Sequence, residues 1–198
     1  MIIVTIIVIV MIAVWMYWTW RVSVQNTIRR LFHRLVVRLE RANIQYWTDY
    51  GTLLGIFRGK DVILGDNDAD ICIVPDEDNL ARCQVVVDEM GGKRLDWGAF
   101  RVYDRGVFVD MYIPKVEDSQ YCVMGYDKIP PDMIHPIQHP IIDLGDFTFV
   151  ASLPHRPLDV LQHRYGANWR QPSRNWWTLY LDFEKEVKPF CRGLVQGK

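Results

Sequence analysis

The sequence predicts an α/β (α+β) domain carried behind one N-terminal transmembrane helix. Residues 2–20 are uncharged and almost wholly apolar. Beyond them, stretches with apolar residues at three- and four-residue steps take turns with short β-branched or aromatic runs. Asp66, Asp68 and Asp70 stand two apart at the head of the apolar run Ile71-Cys72-Ile73-Val74, and Asp110 sits inside a second such run.

At 198 residues the chain suits one ordinary domain and is short for two. The expected division is an anchor over 1–21 and a catalytic domain over 22–198. Its 23 basic and 24 acidic residues give a formal charge of -1, which removes the electrostatic reason to expect a nucleic-acid partner. Cys72, Cys83, Cys122 and Cys191 lie far apart with no C-x-x-C pair, which argues against a zinc site or a disulfide scaffold and reads as buried thiols.

The run from Ile2 to Trp20 would span about 28 Å as a helix, close to the hydrocarbon thickness of a bilayer. Trp15, Tyr17, Trp18 and Trp20 crowd one end like an interfacial belt. A cleaved signal peptide is disfavoured, because bulky aromatics stand where small residues would be needed. The expectation is a single-pass membrane protein, of the Golgi or ER in a eukaryotic cell. Arg21, Arg29, Arg30 and Arg34 follow the span and favour a cytoplasmic globular part by the positive-inside rule, but they also suit the next helix, so sidedness stays open.

Val24 to Ala42 reads as an amphipathic helix on Val24, Ile28, Leu31, Phe32, Leu35 and Leu39, capped by Ser23 and ended near Asn43. Ile44 to Trp47 reads as a strand, and Gly51-Thr52 as a turn opening onto a short helix. Glycine there lets the backbone approach a phosphate, and the free N–H groups at a helix start attract anions. Gly59 to Gly65 is a loop, and Asp66 to Val74 a strand stopped at Pro75. A helix capped at Asp76, Asp78 or Asn79 runs to Met90 before Gly91-Gly92. Strands follow at Lys93–Leu95, Phe100–Tyr103 and Val107–Ile113, the last two joined by a turn at Asp104-Arg105-Gly106. Turns and prolines dominate Asp118 to Pro154, with one hairpin of Ile141-Ile142 and Phe147–Val150. His135 and His139 read as loop residues, since the intervening prolines forbid a shared helix face. Helices are expected at Leu158–Arg164 and Trp176–Phe190.

On a strand Asp68 and Asp70 project from one face, about 7 Å apart along the backbone. Two carboxylates so placed repel unless one is protonated or a hard cation such as Mg²⁺ sits between them. Asp110, a lone acid in an apolar run, needs a partner or a metal and is the candidate third ligand. A calcium EF-hand loop would align Asp66, Asp68, Asp70 and Glu77, but it requires glycine where Ile71 stands.

Gly-Thr at a strand-to-helix turn, Asp-x-Asp on a strand and one Asp on a later strand is similar to the nucleotidyltransferase fold. More narrowly, Tyr50-Gly51-Thr52-Leu53-Leu54-Gly55-x-x-Arg58 followed by Asp66-x-Asp68-x-Asp70-Ile71 resembles the LicD family of phosphorylcholine transferases, which includes fukutin and fukutin-related protein. Tyr165-Gly166-Ala167-Asn168-Trp169-Arg170-Gln171-Pro172 is similar to the family's closing Tyr-Gly-x-x-Trp-x-x-Pro. The resemblance implies a mixed sheet with flanking helices, and transfer of a phosphorylated alcohol from a CDP-linked donor to a glycan hydroxyl with release of CMP. It implies Mg²⁺ or Mn²⁺ held by Asp68, Asp70 and Asp110, phosphate cradled by Gly51 and Thr52, charge neutralised by Arg58, and Asp66 acting through water or orienting the donor. The chain departs from the family in having Leu64-Gly65 where Pro-Trp is usual and Asn67 where many members carry Asp. Two alternatives stay open: a nucleotidyltransferase releasing pyrophosphate, and an inactive membrane-bound partner of a glycan-modifying complex.

Overall fold

The computed structural model describes residues 2–171, with side chains from Val4 onward. The expected helix at Trp176–Phe190, Pro172 of the closing motif and Cys191 lie outside the described residues. Met1–Ala167 form one compact unit. Beyond it, the guanidinium of Arg170 lies 4.4 Å from the ring centroid of Trp169.

The apolar run and the amphipathic helix are one element, α1 (Ile2–Arg41). The expected break at Ser23 does not occur, because Ser23 lies mid-helix and the i to i−4 ladder passes through it. From Val4 to Trp20 the side chains are exposed on all faces. From Ile28 onward the helix becomes core, with Ile28, Leu31, Phe32, Leu35, Val36 and Leu39 fully buried. The apolar segment is long and apolar enough to cross a membrane.

The central sheet has the order β1-β2-β5-β4-β3, built from β1 (Tyr46–Thr48), β2 (Asp68–Ile73), β3 (Lys93–Leu95), β4 (Ala99–Asp104) and β5 (Val107–Tyr112). β2 and β5 run parallel, with α3 (Glu77–Glu89), β3 and β4 between them in the chain, whereas the other neighbours are antiparallel. The sheet is therefore mixed. Side-chain alternation sends Ala69, Ile71, Val109, Met111 and Val102 into the core on which α1 and α3 pack. It leaves Asp68, Asp70, Arg101 and Asp110 on the opposite face. An apolar layer on one side thus fixes the register that brings the polar residues together on the other.

Before β2 comes α2 (Tyr50–Gly59), capped by Asp49, whose carboxylate accepts from the Tyr50 N–H. A Cβ on Gly55 would lie 2.3 Å from the Asp61 carbonyl oxygen, so the loop 60–66 crosses directly over this helix. Gly55→Ala is expected to cost about 1–3 kcal/mol by forcing helix and loop apart, read as a lowered melting temperature.

The region after β5 holds more structure than expected. A small antiparallel sheet forms from β6 (Lys115–Glu117), β7 (Gln120–Val123) and β8 (Asp127–Ile129), followed by α4 (Pro131–Ile134). The hairpin of β9 (Ile141–Leu144) and β10 (Phe147–Val150) and the helix α5 (Pro157–Tyr165) stand close to where the sequence places them. His135 and His139 lie outside helix and strand, as read. Cys72, Cys83 and Cys122 are free and buried.

Candidate active site

The parallel register pairs Asp70 with Asp110 across β2 and β5, and the antiparallel register pairs Asp110 with Arg101 across β5 and β4. Asp68, Asp70 and Asp110 each bring a carboxylate oxygen within 4.8 Å of the other two. Asp110 is 3 % exposed and Asp70 9 %. Arg101 grips Asp110 with two N–H groups, Nη2 to Oδ2 at 2.5 Å and Nε to Oδ1. Each carboxylate oxygen has a second lone pair, so this grip leaves Asp110 able to face a cation. A set of three carboxylates, short of positive charge, fits a hard divalent ion such as Mg²⁺ or Mn²⁺.

The electrostatics express that shortage. Burial, then the charges of Asp68, Asp110, Asp49 and Asp66, push the Asp70 carboxyl well above the usual carboxylate range. Asp68 is raised by burial and by Asp110, with Arg101 opposing. Asp66 is pushed up to about 6 by burial and Asp68, with Arg21 opposing. Asp66 is not on β2 as expected but in the turn before it, bridged to Leu64. It still reaches the cluster from the side, since a Cβ on Gly51 would be 3.2 Å from Asp66 Oδ2 and 3.6 Å from Asp70 Oδ2. Gly51 thus sets the N-terminus of α2 against two carboxylates, and its lack of a side chain keeps that gap open.

Thr52 is buried, and its hydroxyl accepts from the Asp70 backbone N–H at 2.8 Å, locking α2 to β2. Arg58 stands seven residues, two turns, beyond Gly51 on the same face of α2, about 10 Å along the axis.

Several residues around the acids were not singled out in the sequence. Asp49, fully buried, accepts from Trp47 Nε1 at 2.8 Å and from Arg164 Nε and Nη2 at 2.8 and 2.6 Å. The Arg164 guanidinium also lies 3.9 Å from the Tyr50 ring centroid and pairs with Asp127, which accepts from the Tyr50 hydroxyl at 2.8 Å. Tyr50 has a left-handed backbone (φ 46), held by this clamp. Tyr112 donates to Asp70 Oδ1 at 3.4 Å, and the rings Tyr50, Tyr112 and Trp97 form a row with centroids 5.2 and 5.7 Å apart. Trp97, 49 % exposed, ends that row. No local signal marks these partners. A lone acid beside a helix start, as at Asp49, is the cue that capping offers.

The LicD/FKTN/FKRP nucleotidyltransferase-domain family matches residues 43–137, which contain α2, the central sheet and all three acids. That match supports the resemblance to the LicD family read from the motif around Gly51 and Asp68. The match ends before α5 and the Tyr165-Gly166 motif. An uncharacterized protein of Rickettsia typhi, RT0683, is 27 % identical over 124 residues, which are 62 % of this chain and 39 % of that protein. The chain therefore spans well under half the length of that relative. Among solved structures, the solution structure of the antibiotic-resistance factor ANT(2'')-Ia is 13 % identical, covering 87 % of this chain and 100 % of that one, with a TM-score of 0.47. Its crystal structure with adenylyl-2''-tobramycin is 16 % identical over 79 % and 84 %, with a TM-score of 0.48. E. coli MS115-1 CdnC with ATP gives 16 %, 72 % and 45 %, with a TM-score of 0.39. The matched region is compatible with a transferase.

Proposed function

We propose that the LicD-like domain is a Mg²⁺- or Mn²⁺-dependent transferase that moves a phosphorylated alcohol from a CDP-linked donor onto a glycan hydroxyl. The observation that carries this reading is the convergence of Asp68, Asp70 and Asp110 beside the N-terminus of α2, in a region that matches this family. In balanced form, the acceptor oxygen attacks the phosphorus that bears the alcohol, and the bond from that phosphorus to the CMP oxygen breaks. CMP leaves and the hydroxyl proton passes to solvent.

A bound divalent ion would supply charge neutralisation on the diphosphate and on the leaving CMP. Asp68, Asp70 and Asp110 would hold it. The backbone N–H groups of Gly51 and Thr52, in the first turn of α2, would favour phosphate oxygens. Arg101 holds the Asp110 carboxylate in place, Thr52 fixes the height of Asp70, and Arg58 and Asp66 flank the donor's charged end. The row Tyr50, Tyr112 and Trp97 offers an aromatic surface for the donor. The apolar segment of α1 anchors the protein in a membrane. A true nucleotidyltransferase that attaches NMP and releases pyrophosphate is the second reading, favoured by the family's own domain description. An inactive partner is disfavoured, because all three acids are present and close together.

Incubation of the full chain with Mn²⁺ and labelled CDP-choline, CDP-ribitol or nucleoside triphosphates separates these readings. CMP released from a CDP-alcohol is the expected result; pyrophosphate from a triphosphate moves the assignment to the second reading, and neither product favours the inactive partner. Metal binding has its own readout. The raised carboxyls of Asp66, Asp68 and Asp70 lose protons when a cation binds, so Mn²⁺ is expected to raise the melting temperature clearly at pH 7.5 and far less at pH 5. A shift of equal size at both values would mean that Asp68 and Asp70 are not the ligands.

A further inference from the structure

The apolar end of α1 and the catalytic face are joined without a linker. Trp20 is the last residue of the exposed apolar segment and Arg21 the first charge after it. The same unbroken helix then enters the core at Ile28. A continuous helix holds the domain at a fixed height above whatever surrounds the apolar segment, with no flexible stretch to let it swing away.

The loop that leads into the acid cluster is fastened to this junction. Arg21 Nη1 donates to the Gly65 carbonyl at 3.1 Å. The contact is tight: a Cβ on Gly65, whose φ is +118, would lie 2.0 Å from Arg21 Nη2. One turn further, Gln25 Nε2 donates to the Val62 carbonyl at 2.6 Å and to Asp61 Oδ2 at 3.3 Å. A turn beyond that, Arg29 pairs with Asp61. Successive turns of the helix therefore hold the loop 60–66, and the chain leaves that loop directly into Asp66 and Asp68. Arg21, in the first turn outside the apolar segment, thus touches Gly65, the residue before Asp66.

The polar layer on each side of a bilayer's hydrocarbon core is about 5–8 Å deep. With Trp20 at the edge of the hydrocarbon, Arg21, Gly65 and the entrance at Asp66 fall within or just above that layer. Leu64, the residue before Gly65 in the same loop, is apolar and 42 % exposed. We infer that the acid cluster opens at the lipid headgroup layer and that its acceptor is an amphiphile, a sugar or other hydroxyl-bearing head group carried on a lipid that stays in the membrane. A head group confined to that layer meets the acids by lateral diffusion, whereas a polymer far above the membrane has to bend down to reach them. This rests on the transferase reading and on insertion of the apolar segment, and extends both by naming the substrate class.

Depth and product together test it. The described native thiols are buried, so with Cys191→Ser in place a thiol-reactive fluorophore reports the introduced site in Leu64→Cys, Val10→Cys or Val85→Cys protein. Each full-length variant is placed in vesicles of phosphatidylcholine and phosphatidylglycerol containing lipids brominated near the headgroup or deep in the chains. The Leu64→Cys label is expected to lose most of its fluorescence to shallow bromines, the Val10→Cys label to deep ones, and the Val85→Cys label on α3 to neither. Quenching at position 10 without quenching at position 64 overturns the inference and leaves the anchor standing. No quenching at position 10 removes the anchor and the inference with it. In the second arm, membranes of cells making the protein receive Mn²⁺ and a CDP-alcohol labelled in the alcohol. Label recovered in the organic extract together with released CMP supports the lipid-borne acceptor. CMP released with label only in water-soluble glycan overturns it, while absence of CMP refutes the transferase reading itself.

Discussion

Asp70→Asn is expected to abolish metal-dependent release of CMP and, at the same time, to raise the melting temperature of the metal-free protein. Asp70 is 9 % exposed and is surrounded by Asp49, Asp66, Asp68 and Asp110. Its burial and these neighbours oppose ionisation, and the Tyr112 hydroxyl donates to its Oδ1 at 3.4 Å. Asparagine keeps the shape and removes the charge, so the apo protein gains while the ligand is lost. The sign of the pH dependence follows from the raised carboxyl. A group whose pKa is higher folded than unfolded lends stability below the unfolded value and loses it as pH rises through the folded one. The variant's advantage should therefore be small near pH 4.5 and widen toward neutral pH, reaching about 1–3 kcal/mol. For a domain of this size that is about 2–12 °C. The measurement is a pair of melting curves in chelator at the two pH values, beside an assay of CMP release with Mn²⁺. A variant that melts below wild type at neutral pH would show that the charge of Asp70 is compensated within the protein, and retained turnover would remove Asp70 from the metal ligands.

The acids were legible in the sequence because their chemistry is local. Spacing by two on an apolar strand puts Asp68 and Asp70 on one face, and an acid buried in Val107–Tyr112 requires a counterpart. The core of α1 was legible for the same reason, since Ile28, Leu31, Phe32, Leu35 and Leu39 repeat with the helix. Periodicity failed where an element changes surroundings midway: α1 is apolar all round before Trp20 and one-sided after it, and Ser23 between them imitates a cap. It failed again at β6, β7 and β8, which are only three or four residues long and too short to display alternation against the turns between them. Asp66 continues the alternation and so reads as strand, but its pairing is the local bridge with Leu64. The partners Arg21, Arg101 and Arg164 had no local signature. Arg164 and Asp49 are 115 residues apart, and only the folded chain brings them together.

That last pair yields the second large effect. Arg164→Met is expected to cost about 3–5 kcal/mol, because it leaves the Asp49 carboxylate buried without its cation. Asp49 is wholly inaccessible, and the Arg164 side chain is 3 % exposed. The loss is not confined to one ion pair. Asp49 caps α2 through the Tyr50 N–H, and Arg164 stacks on the Tyr50 ring and pairs with Asp127, which in turn holds the Tyr50 hydroxyl. This network sets the position of the first turn of α2, and with it the gap between Gly51 and the carboxylates of Asp66 and Asp70. Turnover should therefore fall even at temperatures where the variant is fully folded, which separates positioning from stability. In the Asp49→Asn/Arg164→Met double variant the costs should add to less than their sum, since each single change strands the other's charge. Strict additivity in denaturant unfolding, or an Arg164→Met protein that melts and turns over like wild type, would mean that the start of α2 is held by Thr52 and the backbone alone.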